Sequence, residues 1–361
     1  MSKLKHYSRI KKLRKIIVRG FVIFVLLLLT IIIVLSIPSV QTYVAKKVTD
    51  NLNETYGTDI NIERLGLNWK GEVDIREVLI NDHHADTLIY AKQLQTNVLS
   101  FRNLIAGDLG FGNIILDDAK LYVTTYKNED LDNLYIFSEK FNTGDTTNVK
   151  PFSMFGNDLN LNNSTVRIKD ENLQTPVLLF LQEMNLVADD FKITGPNVEA
   201  QVQALSLKAE RGFIIQDAEV DFSYTEDAMT LKNLDLQTQN SIIKGDLVFA
   251  YGEKGLGDFA DGVTIDAVFE GTKIATNDIN TFYNEFGEDQ IINVDGIFKG
   301  KMNDFTFTET NLSTGGTQLY GNYRIQNLLN AEDFIVTANN HTIRTSYYEL
   351  RRFMPRVLGN V

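Results

Sequence analysis

The chain has 361 residues, no cysteine and a formal net charge of −12, so its length allows two or three domains. Residues 1–19 contain eight lysines and arginines and no acid, which leaves a net charge of −20 on the rest. So acidic a body is not expected to bind nucleic acid, because phosphates repel it. The lack of cysteine excludes disulfides, thiolate metal sites and cysteine nucleophiles.

The segment 20–37 is apolar and contains no charged residue. Eighteen helical residues at about 1.5 Å each nearly span the hydrocarbon core of a bilayer, so we expect a transmembrane helix here. A cleaved signal peptide would have a shorter apolar region and a small-residue cleavage motif, which is absent. Residues 1–19 are then a basic cytoplasmic tail, with the topology set by the cations Lys11, Lys12, Arg14, Lys15 and Arg19.

An amphipathic connecting helix is expected over 38–57. Val40, Val44, Val48 and Leu52 recur every four residues, and Gly57 is suited to end the helix. The apolar stripe is compatible with a helix that packs on the end of a sheet and equally with one that lies on the membrane.

Beyond Thr58 the hydrophobic pattern has a period of two, as in Ile60 and Ile62. Such alternation predicts strands with one apolar and one solvated face, so we expect a mainly β fold over 58–361. Polar pairs and glycines predict the turns, at Asn81–His84, Asp117–Asp118, Asn162–Asn163, Gly195–Pro196 and Gly315–Gly316.

A few short helices interrupt this pattern. Apolar spacing predicts them near 131–141 and over 279–286, and Ser346 with Glu349 forms a capping box before a third. Loose internal repeats of irregular period suggest stacked hairpins. The sequence stops at Val361 without a closing element, so we expect it to be the N-terminal portion of a longer protein.

The sequence contains no recognisable catalytic motif. His83 and His84, beside Asp82 and Asp86, could in principle bind a metal, but adjacent ligands on one tight turn rarely close a site. We therefore interpret this stretch as a solvated turn. The paired carboxylates fall in turns, which favours solvated faces over acid–base catalysis. We predict no catalytic residue, no metal site and no cofactor, so the protein is not expected to be an enzyme.

The order of segments resembles the AsmA-like family, in particular its translocation and assembly module (TamB) branch of the Bacteroidetes type. The resemblance rests on a basic tail, one membrane helix, a helix ending at Tyr56–Gly57, and the strands INIERL (60–65) and IILDDAKLYV (114–123). It continues through residues 294–325 to the ending RTSYYELRRFMPRVLGNV. Each motif is a pattern of apolar spacing, and their order carries the resemblance. Members of the family are much longer than this chain.

The resemblance implies an inner-membrane anchor and a periplasmic body built as an elongated, curled, antiparallel or meandering β-sheet, a repeating β-groove over 58–361. Its apolar inside would carry phospholipid acyl chains toward the outer membrane, and the missing C-terminal part would engage an outer-membrane assembly protein. A dry sheet-on-sheet sandwich is the other way to hide the apolar face. The candidate groove-lining residues are Ile60, Ile62, Leu65, Leu67, Leu121, Val123, Val166 and Ile168, although one bulge would reverse the side that faces inward.

Two other functions remain open. An assembly factor for outer-membrane β-barrel or autotransporter proteins would expose a strand edge for pairing. A structural β-repeat stalk would have a filled core and bind no lipid.

Overall fold

The alternating sequence folds into one long sheet flanked by short helices. The structure, a computed structural model, describes residues 37–358 apart from 69–71, 99–107, 141–152, 195–196, 253–258, 283–285, 329 and 331. Its helices are α1 (Pro38–Tyr56), α2 (Asn133–Glu139), α3 (Phe259–Gly262), α4 (Thr276–Ile279), α5 (Tyr347–Phe353) and α6 (Pro355–Leu358), with a 3-10 turn at Glu210–Gly212. Its strands are β1 (Asp59–Leu67), β2 (Glu72–Asn81), β3 (Thr87–Val98), β4 (Asp108–Asp117), β5 (Lys120–Thr125), β6 (Ser153–Asp170), β7 (Val177–Thr194), β8 (Asn197–Ala209), β9 (Ile214–Tyr224), β10 (Ala228–Thr238), β11 (Ile242–Ala250), β12 (Thr264–Ala275), β13 (Ile291–Lys301), β14 (Asp304–Thr314), β15 (Thr317–Gln326) and β16 (Ile335–Arg344).

Strand order in the sheet follows chain order from β1 to β16, with one irregularity. β4 and β5 are two pieces of one line, separated at Asp118 and Ala119, and both lie between β3 and β6. β6 runs parallel to both, whereas the other pairs are antiparallel. Parallel neighbours need a long crossover connection, which the chain makes between β5 and β6 through α2. The expected meandering β-sheet is therefore confirmed, but its pairing is not antiparallel throughout.

Two local predictions are wrong. Asn162–Asn163 is not a turn, because β6 continues through it with Asn163 in the left-handed region at φ 51°. The amphipathic helix predicted over 279–286 stops at Ile279. The described residues 280–282 are not helical, and the side chain of Asn280 accepts a hydrogen bond from the Phe286 N–H (3.2 Å) and donates one to its carbonyl (2.9 Å).

Helix α1 lies against the β1 edge of the sheet. The Asn53 side-chain amide donates to the Ile60 carbonyl and its oxygen accepts the Ile60 N–H, both at 2.9 Å. An asparagine thus occupies backbone groups that a further strand would otherwise pair with, which protects this edge. Gly57 follows the helix at φ 63°, the left-handed conformation that glycine adopts without strain.

The predicted membrane span is almost entirely outside the described residues. Of 20–37 only Ile37 is described, and the five topology-setting cations also lie outside. Within the part of the chain that the structure does describe, no helix combines the length and apolar character needed to cross a bilayer.

Candidate functional site

Cross-strand pairing sorts the side chains of β10–β16 into apolar and polar rows that run across the strands. One row of successive partners is apolar: Leu231, Leu247, Ala267, Phe298, Phe307, Tyr323 and Ala338. The adjacent row is mostly polar: Thr230, Val248, Asp266, Lys299, Thr306, Arg324 and Thr337. Successive side chains of a strand point to opposite faces, so the sheet has an apolar face and a polar face.

The N-terminal strands show the same division. One row of successive partners consists of Leu65, Ile75, Leu94, Leu116, Leu161, Leu186 and Leu205. A second consists of Ile60, Ile80, Ile89, Leu121, Val166 and Leu181. The two rows stand five residues apart in each strand, an odd number that would place them on opposite faces of a regular strand. In four of the six strand lines, namely β2, β4 with β5, β6 and β7, a left-handed residue lies between the two rows, at Glu77, Asp118, Asn163 and Glu183, and the extra residue of such a bulge returns both rows to one face.

Bulges at regular intervals keep the apolar side facing one way in the C-terminal strands. β10, β12 and β14 each contain one left-handed residue, namely Asn233, Gly271 and Glu309. The backbone N–H of each donates to a side chain on the next strand, at 2.8 Å to Asp246, 2.6 Å to Asp295 and 2.9 Å to Asn322.

A glycine stands opposite each of these bulges, at Gly245, Gly296 and Gly321, with φ angles of 144°, 142° and 132°, respectively. A Cβ at Gly245 would collide with the backbone of Val268. Between the pairs Leu231–Leu247 and Leu234–Gly245, two residues of the bulged strand then face one residue of its partner. The extra residue bends the strand and resets the alternation, so apolar side chains before and after it share one face.

The apolar face is not covered by a second layer among the described residues. The described strands pack against their hydrogen-bonded neighbours and a few short helices. Even so, Ile114, Leu159 and Ala267 are only 6%, 8% and 1% exposed. A single sheet can bury its own face to this extent when it curves toward that face, which gives the sheet a groove-like form.

A cavity of about 260 Å³ opens on the apolar face where β3, β4, β6 and β7 adjoin. Its lining is apolar, from side chains that include Leu94, Ile114, Leu159 and Phe191, together with Thr96. The Thr96 hydroxyl is buried and has no hydrogen-bond partner. A second apolar cluster lies on β11–β13 and the adjoining loop, around Val263, Ile265 and Ala267. Buried apolar side chains are therefore present in both halves of the sheet.

Charged groups are concentrated on the polar face. Lys299 Nζ lies 3.0 Å from Asp266 Oδ2, and Lys244 Nζ lies 2.6 Å from Asp235 Oδ2. The Arg324 guanidinium donates to Asp304 at 3.0 Å and lowers the pKa of that carboxyl. None of the three apolar rows contains a charged side chain, and the three ion pairs named above all lie on the polar face.

The structure places four of the eight predicted groove residues on these rows. Ile60, Leu65, Leu121 and Val166 are members of the two N-terminal rows, and they are partly buried. The other three described side chains lie next along the same strands: Ile62 opposite Val78, and Val123 opposite Ile168. For Leu67 the structure describes the backbone, which pairs with Val73.

The prediction omitted the C-terminal half of the apolar face, including Phe298 and Phe307. Their strands show the same alternation in the sequence, and Lys244–Asp246, Asp295–Gly296 and Gly321–Asn322 mark the bulges.

The histidine pair is not an isolated turn. His83 and His84 lie in the β2–β3 turn, and both reach Glu129, which follows β5. No local sequence pattern signals this contact, because 45 or 46 residues separate the partners.

Comparison with known proteins leaves the function to be argued from the structure. Neither the models of known protein families nor the sequences of curated proteins match this chain.

Proposed function

We propose that this chain is an inner-membrane-anchored periplasmic protein whose apolar sheet face carries phospholipid acyl chains toward the outer membrane. The observation that supports this best is the continuous apolar face without a covering layer in the described part of the chain. Apolar surface left in water costs roughly 25 cal/mol per Å², so an apolar ligand that covers it is strongly favoured. The resemblance to the AsmA-like family points to the same function.

The dimensions of the face suit acyl chains. In β13 the apolar side runs from Ile292 to Gly300, eight steps along the strand or about 26 Å at about 3.3 Å per residue. One leaflet contributes about 15 Å of a hydrocarbon core of about 30 Å, so an extended acyl chain fits within this width. The sheet path has fifteen strand positions, and fourteen intervals of about 4.8 Å give about 67 Å along the groove.

The chemistry of the rows indicates what is recognised. The apolar rows contain no charged side chain that could pair with a phosphate or an amine. Binding is therefore expected to depend on the acyl chains and to discriminate weakly between head groups. Transmembrane anchoring by 20–37 and a cytoplasmic tail of residues 1–19 would place one end of the groove at the inner membrane.

The test is lipid co-purification with the full chain after mild detergent extraction. Val166 on the apolar face and Thr165 beside it on the polar face form a matched pair. We expect wild type and Thr165→Asp to retain phospholipid in thin-layer chromatography and mass spectrometry, and Val166→Asp to lose most of it while keeping its β circular dichroism. A folded wild type that carries no lipid, or equal loss in both variants, would overturn the proposal.

A second candidate function rests on the opposite edge of the sheet. β16 pairs with β15 alone among the described strands, and Ile335 and Ile343 are 50% and 52% exposed. An exposed apolar edge strand can pair with another chain, as an assembly factor for outer-membrane β-proteins would require. Photocrosslinkers in β16 would then capture nascent barrel proteins. The stalk alternative has no comparable support, because it requires a filled core.

A further inference from the structure

We propose that His83, His84 and Glu129 form a binding site for a divalent transition metal ion, with zinc as the best match. The Nε2 atom of His83 lies 2.9 Å from one oxygen of Glu129, and that of His84 lies 2.7 Å from the other. The three candidate ligand atoms lie within 4.8 Å of one another. The inference is independent of lipid binding.

The ligand set and its spacing suit zinc. Two imidazole nitrogens and one carboxylate are a common three-ligand set for zinc, with a fourth position left to water or substrate. Bonds of about 2.0–2.2 Å in a tetrahedron place neighbouring ligand atoms about 3.3–3.6 Å apart. The two nitrogen–oxygen distances, 2.9 and 2.7 Å, therefore need to open by about 0.4–0.9 Å to admit the ion.

The surrounding residues hold the two histidines in place. The Asp82 carboxylate accepts the backbone N–H groups of His84 and Asp86, at 2.9 and 3.0 Å, which fixes the turn. Asn133, 1% exposed, donates to Asp82 at 2.7 Å and ties this turn to α2. The Tyr126 ring lies 4.0 Å from the His84 ring, centre to centre. Such supporting contacts orient ligands before the metal arrives.

The second segment of the site is fixed as well. The Asn172 side chain donates to the Glu129 carbonyl at 2.9 Å and accepts the Asn128 N–H at 2.8 Å. Asp82 and Asp86 both accept hydrogen bonds from the Tyr126 hydroxyl, which brings two further carboxylates close to the histidines. These carboxylates balance the charge of a divalent ion. The His84 and Glu129 side chains are 44% and 29% exposed, so an ion can enter from solvent.

The alternative is a pair of hydrogen bonds with no metal, and one substitution separates the two. Glutamine in place of His84 can still donate a hydrogen bond to Glu129 but is a poor zinc ligand. The experiment uses the purified full chain, stripped with chelator and dialysed against zinc sulfate, and measures bound zinc by elemental mass spectrometry and affinity by calorimetry. The His6→Gln and His341→Gln variants control for histidines elsewhere in the chain.

We expect one zinc ion per chain in the wild type and in both controls, and affinity at least tenfold weaker in His84→Gln and Glu129→Gln. Zinc should also raise the Tm of the wild type but not of Glu129→Gln. Because His84→Gln keeps its hydrogen bond, its melting temperature without zinc reports whether it is folded. The His83→Gln variant provides a second test of zinc binding in a protein that stays folded. Equal zinc affinity in the wild type and Glu129→Gln would overturn the proposal, as would loss of binding in His341→Gln.

Discussion

Replacing Gly245 by alanine tests whether the bulges shape the sheet. Gly245 lies in β11 opposite the bulge of β10, at φ 144°, and an added Cβ would collide with the carbonyl of Val268. A non-glycine residue in such a conformation costs about 1–3 kcal/mol. Crowding in a packed region costs typically another 1–3 kcal/mol. Alanine recovers about 0.4–1 kcal/mol by restricting the unfolded chain. The expected loss in unfolding free energy is therefore about 3 kcal/mol.

Gly271 provides the matched control for this substitution. It is also left-handed, at φ 68°, but no atom lies within 4 Å of where its Cβ would be. Gly271→Ala should therefore cost only about 1 kcal/mol, the ordinary penalty of the left-handed region. The assay is urea unfolding of the full chain in non-ionic detergent, followed by circular dichroism. Equal losses for the two variants would refute the close strand approach at the bulge and with it the explanation of the curved apolar face.

Three further predictions concern polar contacts. Asp278→Ala should lower the unfolding free energy by about 2–4 kcal/mol, because this buried carboxylate accepts hydrogen bonds from three side chains. Asn53→Ala should speed hydrogen exchange at Ile60 by roughly tenfold, because it removes the hydrogen bond to that amide, about 1–1.5 kcal/mol. Arg324 lowers the pKa of Asp304 below its ordinary 3.8, so this pair stabilises the fold above pH 3.8 and loses its effect as the pH falls further. Asp304→Asn should accordingly flatten the dependence of unfolding free energy on pH below 3.8.

Each of these predictions has a control. Glu288→Ala is exposed and close in sequence to the Asp278 loop, and it should be nearly neutral. Asn51→Ala, exposed on α1, should leave the exchange of the Ile60 amide unchanged. The Asp304 effect should weaken in 1 M salt, where the screening length falls to about 3 Å. A loss in Glu288→Ala equal to that in Asp278→Ala would contradict the argument from burial.

The sequence was sufficient to predict the mainly β fold of the described residues because its signal is local. Alternation of apolar and polar residues requires only neighbours along the chain, and it identified the apolar rows through Ile60, Leu121 and Val166. Non-local features were not predictable in this way. The parallel pairing of β4 and β5 with β6 depends on a crossover between distant segments.

A bulge explains why the turn predicted at Asn162–Asn163 is wrong. An asparagine inside a run of polar residues predicts a turn, but Asn163 stays in β6 because Asn185 on β7 accepts its N–H at 3.0 Å. Sequence alone does not show which polar pair ends a strand and which one bends it. The contact of Glu129 with His83 was hidden for a different reason, since its partner comes from a distant segment of the chain.

Site-specific photocrosslinking in living bacteria tests the lipid groove most directly. Phe298 lies on the apolar face, and Lys299, its neighbour in β13, lies on the polar face. Benzoyl-phenylalanine is close to phenylalanine in shape, so at position 298 it should leave the fold intact. After irradiation and purification of the full chain, mass spectrometry identifies the adducts. The account predicts phospholipid adducts at position 298 and none above background at 299. Equal labelling at both positions, or no lipid at 298 in a folded protein, would contradict it.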